Sequence, residues 1–235
     1  MRYERPLLEG RLRRRYKRFL ADVELPGVGE VVAHCPNPGS MATCAPEGAR
    51  VWLSESDSAA RKLRYTWELG EAEGAMVMVH TGRANDLVAE ALEAGVIDEL
   101  RGYERVRREV RYGERSRVDF LLEGGGERCF VEIKSVTLGL GEGISAFPDA
   151  VTERGRRHLE ELIRVVQAGD RAVLLYCCGR DPSQKVRPAD HIDPRYGEAL
   201  RRAAAAGVEI VAYRCDVAPE GVWVRERIPV SLDGF

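Results

Sequence analysis

Three side chains near the middle of the sequence have the types and spacing of a catalytic or metal-binding group. Asp119 precedes three glycines at 124–126, and Glu132 and Lys134 follow them. The apolar runs on either side of these glycines predict an antiparallel hairpin. Because side chains alternate along a strand, Glu132 and Lys134 share one face, which Asp119 on the partner strand can reach. Carboxylate oxygens in this arrangement suit Mg²⁺ or Mn²⁺, and the alternative is an ordinary surface ion pair.

The chemistry that such a group could perform is phosphodiester hydrolysis. This reaction needs an activated water, neutralised phosphate charge and a stabilised leaving oxygen, all of which one or two Mg²⁺ ions can supply. Asp119 and Glu132 would hold the metal. Lys134 would be a positioned cation that offsets the negative charge of the carboxylates.

The composition is that of a globular protein with a substantial apolar core. The chain has 235 residues, of which 44% are apolar, and a formal net charge of −2 that argues against a general polyanion binder. No apolar stretch approaches the ~20 residues of a membrane span, and the first residues lack the apolar region of a signal peptide. The six cysteines form no Cys-x-x-Cys pair. We therefore expect a cytoplasmic protein with reduced cysteines and no membrane association.

Basic residues are concentrated in two segments. Residues 1–20 contain eight basic side chains and two glutamates, and residues 101–118 contain seven arginines and three glutamates. Local basic stripes of this kind bind phosphates even in a nearly neutral protein. The alternative is a set of solvated strand faces in an Arg/Glu-rich sequence, and for 101–118 both interpretations stay open. The nucleic-acid contacts predicted from the first segment are Arg13, Arg14, Arg15, Lys17 and Arg18.

The first eighty residues predict a small β-barrel. Five short strands without a strong helix are typical of a barrel of the OB type, so we assign residues 1–80 to an OB-like nucleic-acid-binding domain. Residues 36–41 contain two prolines and a glycine and cannot form regular structure. In this rigid loop, Asn37 and Ser40 are candidates to contact a phosphate or the other domain. A zinc site at His34, Cys35 and Cys44 is disfavoured, because their spacing fits no usual zinc pattern.

Residues 81–235 predict a second, mixed α/β domain. Its elements follow the order αβββαβ, with a further helix and strand. The first helix is predicted to begin with Asn85 as its cap and to end at Gly95. A long helix is predicted from about Pro148 to Ala168. On that helix Arg154 and His158 lie four residues apart and are candidates for a phosphate contact and a catalytic or packing role.

The motif and the order of elements together resemble the PD-(D/E)xK nuclease superfamily. Its pattern is an aspartate, a hairpin turn and then Glu-x-Lys, on the second and third strands of an αβββαβ core. The resemblance implies that the backbone carbonyl of Ile133 is a further oxygen ligand. It also implies that a carboxylate on the first helix completes the site, and Glu90 occupies that place.

Longer blocks resemble the sugar fermentation stimulation protein family over nearly the whole chain. These blocks are residues 18–23 (RFLADV), 34–41 (HCPNPGSM), 116–121 (SRVDFL), 131–138 (VEIKSVTL) and 147–155 (FPDAVTERG). The resemblance implies an OB-like domain joined to a PD-(D/E)xK-like domain, DNA binding, and a link to sugar (maltose) metabolism. By position it implies Asp119 and Glu132 as metal ligands and Lys134 as the residue that orients the attacking water.

Two main functional hypotheses follow. The first is a DNA-binding nuclease that depends on Mg²⁺ or Mn²⁺, and the second is a non-catalytic DNA-binding regulator on a nuclease fold. A carboxylate pair beside phosphate would repel DNA, so its presence favours retained chemistry. A carbohydrate-binding barrel attached to an unrelated enzyme is a third hypothesis. Whether the DNA is single- or double-stranded stays open, and a homodimer is expected only by analogy with nucleases that cut both strands.

Overall fold

The computed structural model describes residues 1–112 and 116–233 of a mixed α/β protein with an N-terminal barrel and a C-terminal α/β domain. The predicted fold class is therefore confirmed. Arg115 of the second basic segment and the last two residues of the predicted second domain lie outside the described residues. No helix in the described part is long and apolar enough to cross a membrane.

Five strands close the N-terminal barrel, and a sixth extends it. They are β1 (Leu8–Tyr16), β2 (Leu20–Leu25), β3 (Gly29–His34), β4 (Arg50–Glu55), β5 (Tyr65–Ala72) and β6 (Ala75–Met78). β1 pairs with both β2 and β4, and β5 pairs with both β3 and β4, which closes the cylinder. Alternate side chains point inward, and the indole of the fully buried Trp67 fills the barrel and donates to the carbonyl of Leu69 at 2.7 Å.

The C-terminal domain is built on a six-stranded sheet with helices on both faces. Its elements are α1 (Arg83–Glu93), β7 (Arg105–Tyr112), β8 (Ser116–Gly124), β9 (Glu127–Val136), β10 (Leu138–Gly139), β11 (Ile144–Phe147), α2 (Glu153–Gln167), β12 (Arg171–Cys178), β13 (Arg180–Asp181), β14 (Lys185–Pro188), α3 (Pro194–Ala205), β15 (Glu209–Ala218) and β16 (Gly221–Ile228). The strand order is β7-β8-β9-β12-β15-β16, and β9, β12 and β15 are parallel. Strand β12 is buried on both faces because α1 packs on one and α2 with α3 on the other.

The edge strand β7 is exposed and rich in arginine. Arg105, Arg107 and Arg108 are all exposed, as is Val106, and Glu109 has a positive φ of 54°. Charged side chains and irregular backbone are common at sheet edges, where unpaired backbone groups would otherwise recruit another strand.

Two elements differ from the expectation from sequence. Helix α1 begins at Arg83, two residues before the predicted cap Asn85, and Asn85 lies in its first turn. Helix α2 begins at Glu153 rather than near Pro148, because Thr152 is its N-cap and its hydroxyl accepts from the Gly155 amide at 3.0 Å. The sequence also gives no sign of the small sheet β10-β11-β14, whose parallel pair joins Ile144–Phe147 to Lys185–Pro188.

The two domains share an apolar core and backbone pairing. Trp52, Leu69 and Met78 of the barrel belong to the same buried cluster as α1 and one face of the central sheet. Strand β13 of the second domain pairs with β6 of the barrel. Residues 1–3 lie with the second domain, where Met1 and Val222 exchange backbone hydrogen bonds. The predicted boundary near residue 80 stays a prediction.

The six cysteines, all within the described part, are buried and form no disulfide. They act as small apolar residues of the cores.

Candidate functional site

The candidate site begins where β8 and β9 part. Their pairing ends at Phe120 and Val131, although β9 continues to Val136 along β12. The amide of Ile133 lies beyond this last pair and has no backbone partner on β8. It donates instead to Asp119 Oδ2 at 2.7 Å. The Asp119 carboxylate thus replaces a missing strand hydrogen bond, which fixes its position at the opening between the two strands.

Helix α1 supplies the second contact to Asp119. The side-chain amide of Asn85 donates to Asp119 Oδ1 at 2.8 Å. From sequence, Asn85 was interpreted only as a helix cap, and its role in the site was missed. The sequence offered one signal for this role. Asn85 lies in the first turn of the helix that precedes the strands carrying Asp119 and Glu132.

Glu132, Lys134 and His158 form one hydrogen-bonded cluster. Lys134 Nζ lies 2.7 Å from Glu132 Oε1 and 3.2 Å from His158 Nδ1, and His158 Nδ1 also contacts Glu132 Oε1. Because side chains alternate along β9, Val131 and Ile133 pack toward α1, whereas Glu132 and Lys134 face α2, which carries His158. The expected shared face of Glu132 and Lys134 is therefore present.

Burial and charge move the pKa values of the two carboxyl groups in opposite directions. Burial and the nearby charge of Glu132 raise the pKa of Asp119 above its ordinary 3.8, against the lowering effect of the Ile133 amide and Asn85. Burial alone would raise the pKa of Glu132, but Lys134 and His158 outweigh it and hold this pKa below its usual range. Glu132 therefore keeps its negative charge to lower pH than a free glutamate does, whereas Asp119 takes up a proton at higher pH than a free aspartate.

One buried oxygen of this cluster, Glu132 Oε2, lacks a hydrogen-bond partner among the described residues. Glu132 is only 2% exposed, so its unpaired oxygen is costly unless a cation or water satisfies it. Within residues 1–112 and 116–233, no three His, Cys, Asp or Glu side chains are arranged to hold a metal by themselves. A metal site here would need donors beyond these two carboxylates, and the backbone carbonyl of Ile133 as one of them stays a prediction.

Of the other predicted catalytic candidates, the structure brings His158 into the group and keeps Glu90 away. The Glu90 carboxylate is exposed and lies 2.6 Å from the amino group of Met1. Glu90 is five residues beyond Asn85, which is about 140° around the helix, so both cannot face Asp119. Arg154 Nε lies 3.3 Å from His158 Nε2 at the exposed side of the cluster.

The basic side chains of β1 and of the turn after it differ in their contacts with the rest of the protein. Arg13 and Arg14 are exposed but pair with Glu24 and Asp22 on β2. Lys17 and Arg18 form the exposed turn between these strands, with φ values of 46° and 64°.

Arg15 has a different environment, because its guanidinium donates to the carbonyls of Asn37, Gly39 and Ser40, each at 2.9 Å. It therefore holds the rigid loop 36–41 in place. Asn37 is buried, and its Oδ1 accepts from the Gly39 amide at 2.9 Å, whereas Ser40 is exposed. Nucleic-acid contacts by these residues stay predictions.

Loop 36–41 contributes Asn37, Pro38 and Gly39 to the lining of a cleft between the domains. The cleft has a volume of about 420 Å³, and its lining also contains Lys134, Ser135 and Asn85. Met41 donates its amide to Asp149 Oδ2 at 3.4 Å, and a Cβ at Gly39 would overlap the Asp149 carboxylate. The barrel loop therefore packs against the second domain at Asp149, and Lys134 of the candidate site lines the same cleft.

Comparisons with known proteins cover both domains. Residues 14–79 match the family model described as SfsA N-terminal OB domain, and residues 82–221 match the Sugar fermentation stimulation protein RE domain. Sugar fermentation stimulation protein homologs from Pseudomonas aeruginosa and Geobacter metallireducens are each 55% identical to this chain, over 99% of it and 100% of theirs. The solved structure of Pyrococcus furiosus SfsA in complex with Ca²⁺ is 30% identical, covers 98% of both chains and has a TM-score of 0.89.

Proposed function

Because the chain belongs to the sugar fermentation stimulation protein family, we propose that its second domain is a PD-(D/E)xK-type nuclease that hydrolyses DNA with Mg²⁺ or Mn²⁺. The observation that carries this proposal is the buried Glu132 carboxylate, which binds Lys134 through one oxygen and has no partner among the described residues at the other, and whose charge acts on Asp119. The solved relative from Pyrococcus furiosus is a complex with Ca²⁺, and Ca²⁺ prefers the same oxygen ligands as Mg²⁺.

The residues fit a hard divalent cation. Asp119 and Glu132 would hold it through carboxylate oxygens, with the carbonyl of Ile133 as a third donor. When bound, such an ion supplies neutralisation of phosphate charge and activation of water. Asn85 and the Ile133 amide keep Asp119 oriented toward this position, as outer hydrogen-bond partners orient metal ligands in general.

Lys134 would act on the phosphate and the water. Its ammonium group is held at 2.7 Å from Glu132 Oε1 and lines the cleft, so it can orient a water and offset the charge of a phosphate. His158 supports this position by contacting both Lys134 and Glu132. Arg154, hydrogen-bonded to His158 and exposed, is placed to contact a flanking phosphate.

One observation favours the non-catalytic alternative. Glu132 already has two cationic or hydrogen-bonding neighbours, so its charge is largely compensated by the protein itself. A regulator that keeps the fold but binds no metal would have this arrangement.

Cleavage assays separate the two hypotheses. We expect the wild-type protein to cut single- or double-stranded DNA only with Mg²⁺ or Mn²⁺. Asp119→Asn is expected to lose cutting by about a hundredfold or more, since it removes one metal ligand. The regulator hypothesis holds instead if the wild type binds DNA without cutting it under every metal condition and Asp119→Asn binds as well or better.

The raised pKa of Asp119 predicts how cation affinity depends on pH. A cation binds the ionised carboxylate, so Mn²⁺ affinity should be full above the pKa of Asp119 and fall as pH drops through it. This fall should begin above the range of a free aspartate. Asn85→Ala removes a donor that favours the ionised form and should move the midpoint to higher pH.

Mn²⁺ titrations by calorimetry between about pH 4 and 8 test this prediction. Gln167→Ala, at the exposed end of α2, is the control and should leave the midpoint unchanged. A midpoint that Asn85→Ala leaves in place would contradict the role assigned to Asn85.

A further inference from the structure

Two groups of residues with different chemistry line the cleft between the domains. The aromatic and apolar group, here called the apolar wall, consists of Phe147, Pro148 and Val151. The polar group, here called the polar wall, includes Lys134, Ser135 and Asn37. A nucleotide has the same division, because its base offers a flat apolar face whereas its phosphate is anionic.

The apolar wall is fixed, and Val151 is its exposed part. The Phe147 ring rests against Tyr196 and Tyr176, at centroid distances of 5.2 and 5.8 Å, and the hydroxyl groups of these two tyrosines lie 2.9 Å apart. Next to it, Val151 is 68% exposed, although it is a large apolar side chain. A fixed ring beside an exposed valine is a suitable platform for stacking one base.

The polar wall has hydrogen-bonding capacity that the protein does not use. Asn37 Nδ2 and Ser135 Oγ lack partners among the described residues, although Asn37 is only 2% exposed. Both residues line the cleft. Arg18 lies at the cleft on the exposed turn between β1 and β2, and no ion pair holds it within the described part of the chain. These groups can read the edge of a base and bind a phosphate.

The barrel loop limits how wide this cleft can be. Arg15 fixes three carbonyls of the loop, and Thr81 donates its amide and its hydroxyl to the carbonyl of Pro36 at 3.3 and 3.0 Å. Gly39 packs directly against Asp149. Widening the cleft would break all of these contacts. Its volume of about 420 Å³ corresponds to a small-molecule pocket rather than to a groove for a duplex.

We propose that this cleft holds one unstacked nucleotide of single-stranded DNA, with its base against Phe147 and Val151 and its phosphate at Lys134. The inference rests on the proposed function and specifies its substrate: the protein acts on single strands, or on ends and damaged positions where a base leaves the stack. Removing a base from an intact duplex costs several kcal/mol, which such sites avoid.

Binding of a short fluorescein-labelled single strand and of the same sequence as a blunt duplex tests this proposal. Both are measured by fluorescence anisotropy with Ca²⁺ at one salt concentration, and a gel confirms that the DNA stays intact. We expect the single strand to bind at least about tenfold more tightly than the duplex. Val151→Glu should weaken single-strand binding by about tenfold, because it removes a stacking surface and repels phosphate.

Val28→Glu is the matched control, since Val28 is 62% exposed in the turn between β2 and β3 and lies outside the cleft. It should bind both DNAs like the wild type. Equal affinity of the wild type for the two DNAs, or equal effects of the two valine substitutions, would overturn the proposal. Photocrosslinking with an iodouracil-substituted strand should label the tryptic peptide 135–154, which contains Phe147, and label confined to other peptides would overturn it as well.

These outcomes are distinct from failure of the nuclease hypothesis. If the wild type binds the single strand in the cleft but never cuts it, the nucleotide-site proposal stands and the nuclease hypothesis fails. If the wild type cuts intact duplex and Val151→Glu is as active as Val28→Glu, the nuclease hypothesis stands and the nucleotide-site proposal fails.

Discussion

Glu132→Gln is expected to lower metal-dependent DNA cleavage by about a thousandfold and to destabilise the protein by about 3–5 kcal/mol. Both effects come from one charge. Glutamine keeps the shape of the side chain but cannot serve as an anionic metal ligand. It also leaves Lys134, with a side chain only 11% exposed, without its carboxylate partner at 2.7 Å.

A double variant separates the two effects. In Glu132→Gln with Lys134→Met, the buried ammonium group is gone as well, so most of the lost stability should return. Cleavage should stay lost, because neither the metal ligand nor the positioned cation is present. Urea unfolding and cleavage rates measured on the same preparations provide the comparison.

Two results would contradict this account of the cluster. A double variant no more stable than Glu132→Gln alone would show that Glu132 and Lys134 do not depend on each other. Cleavage that survives in Glu132→Gln at the wild-type rate would remove Glu132 from the chemistry and leave it a structural residue.

Arg180→Ala is expected to destabilise the protein by about 3–5 kcal/mol and to weaken the joint between the domains. Arg180 is 6% exposed, and it donates to the carbonyls of Thr43 and Ala72 at 3.3 Å and to the Glu73 carboxylate at 2.8 Å. Its loss removes a buried donor from the carbonyls of Thr43 and Ala72, where β13 meets the edge of the barrel. Urea unfolding followed by tryptophan fluorescence should then show an earlier or a split transition.

Arg225→Ala is the control for that experiment. Arg225 also binds a carboxylate, Asp216, at 2.5 Å, but its side chain is 51% exposed. Exposed ion pairs contribute at most about 1 kcal/mol, so this variant should unfold nearly like the wild type. Equal effects of the two substitutions would show that Arg180 does not join the domains.

The sequence predicted what depends on local periodicity. Alternation along one strand was enough to place Glu132 and Lys134 on one face, and helical spacing was enough to bring His158 near them. The barrel followed from five short strands, and the order of elements in the second domain followed from changes between a two-residue and a helical period.

Features that depend on distant contacts could not be predicted in this way. Asn85 reaches Asp119, 34 residues away, through the packing of α1 beside the strands, which capping signals do not indicate. Glu90 lies about 140° around the helix from Asn85, so it points away from the site. Arg15 was interpreted as a phosphate contact, but its guanidinium meets three carbonyls of a loop that periodicity cannot position.

The arginines along β7 limit how two copies of this chain can associate. Two edge strands related by a two-fold axis run antiparallel, so each would lie against its own reversed sequence. Both sides of the seam would then carry Arg105, Arg107 and Arg108, whose like charges repel, and the positive φ of Glu109 would disturb the shared hydrogen bonds. Joining two sheets into one continuous sheet through β7 is therefore disfavoured, and a homodimer would have to form through another surface.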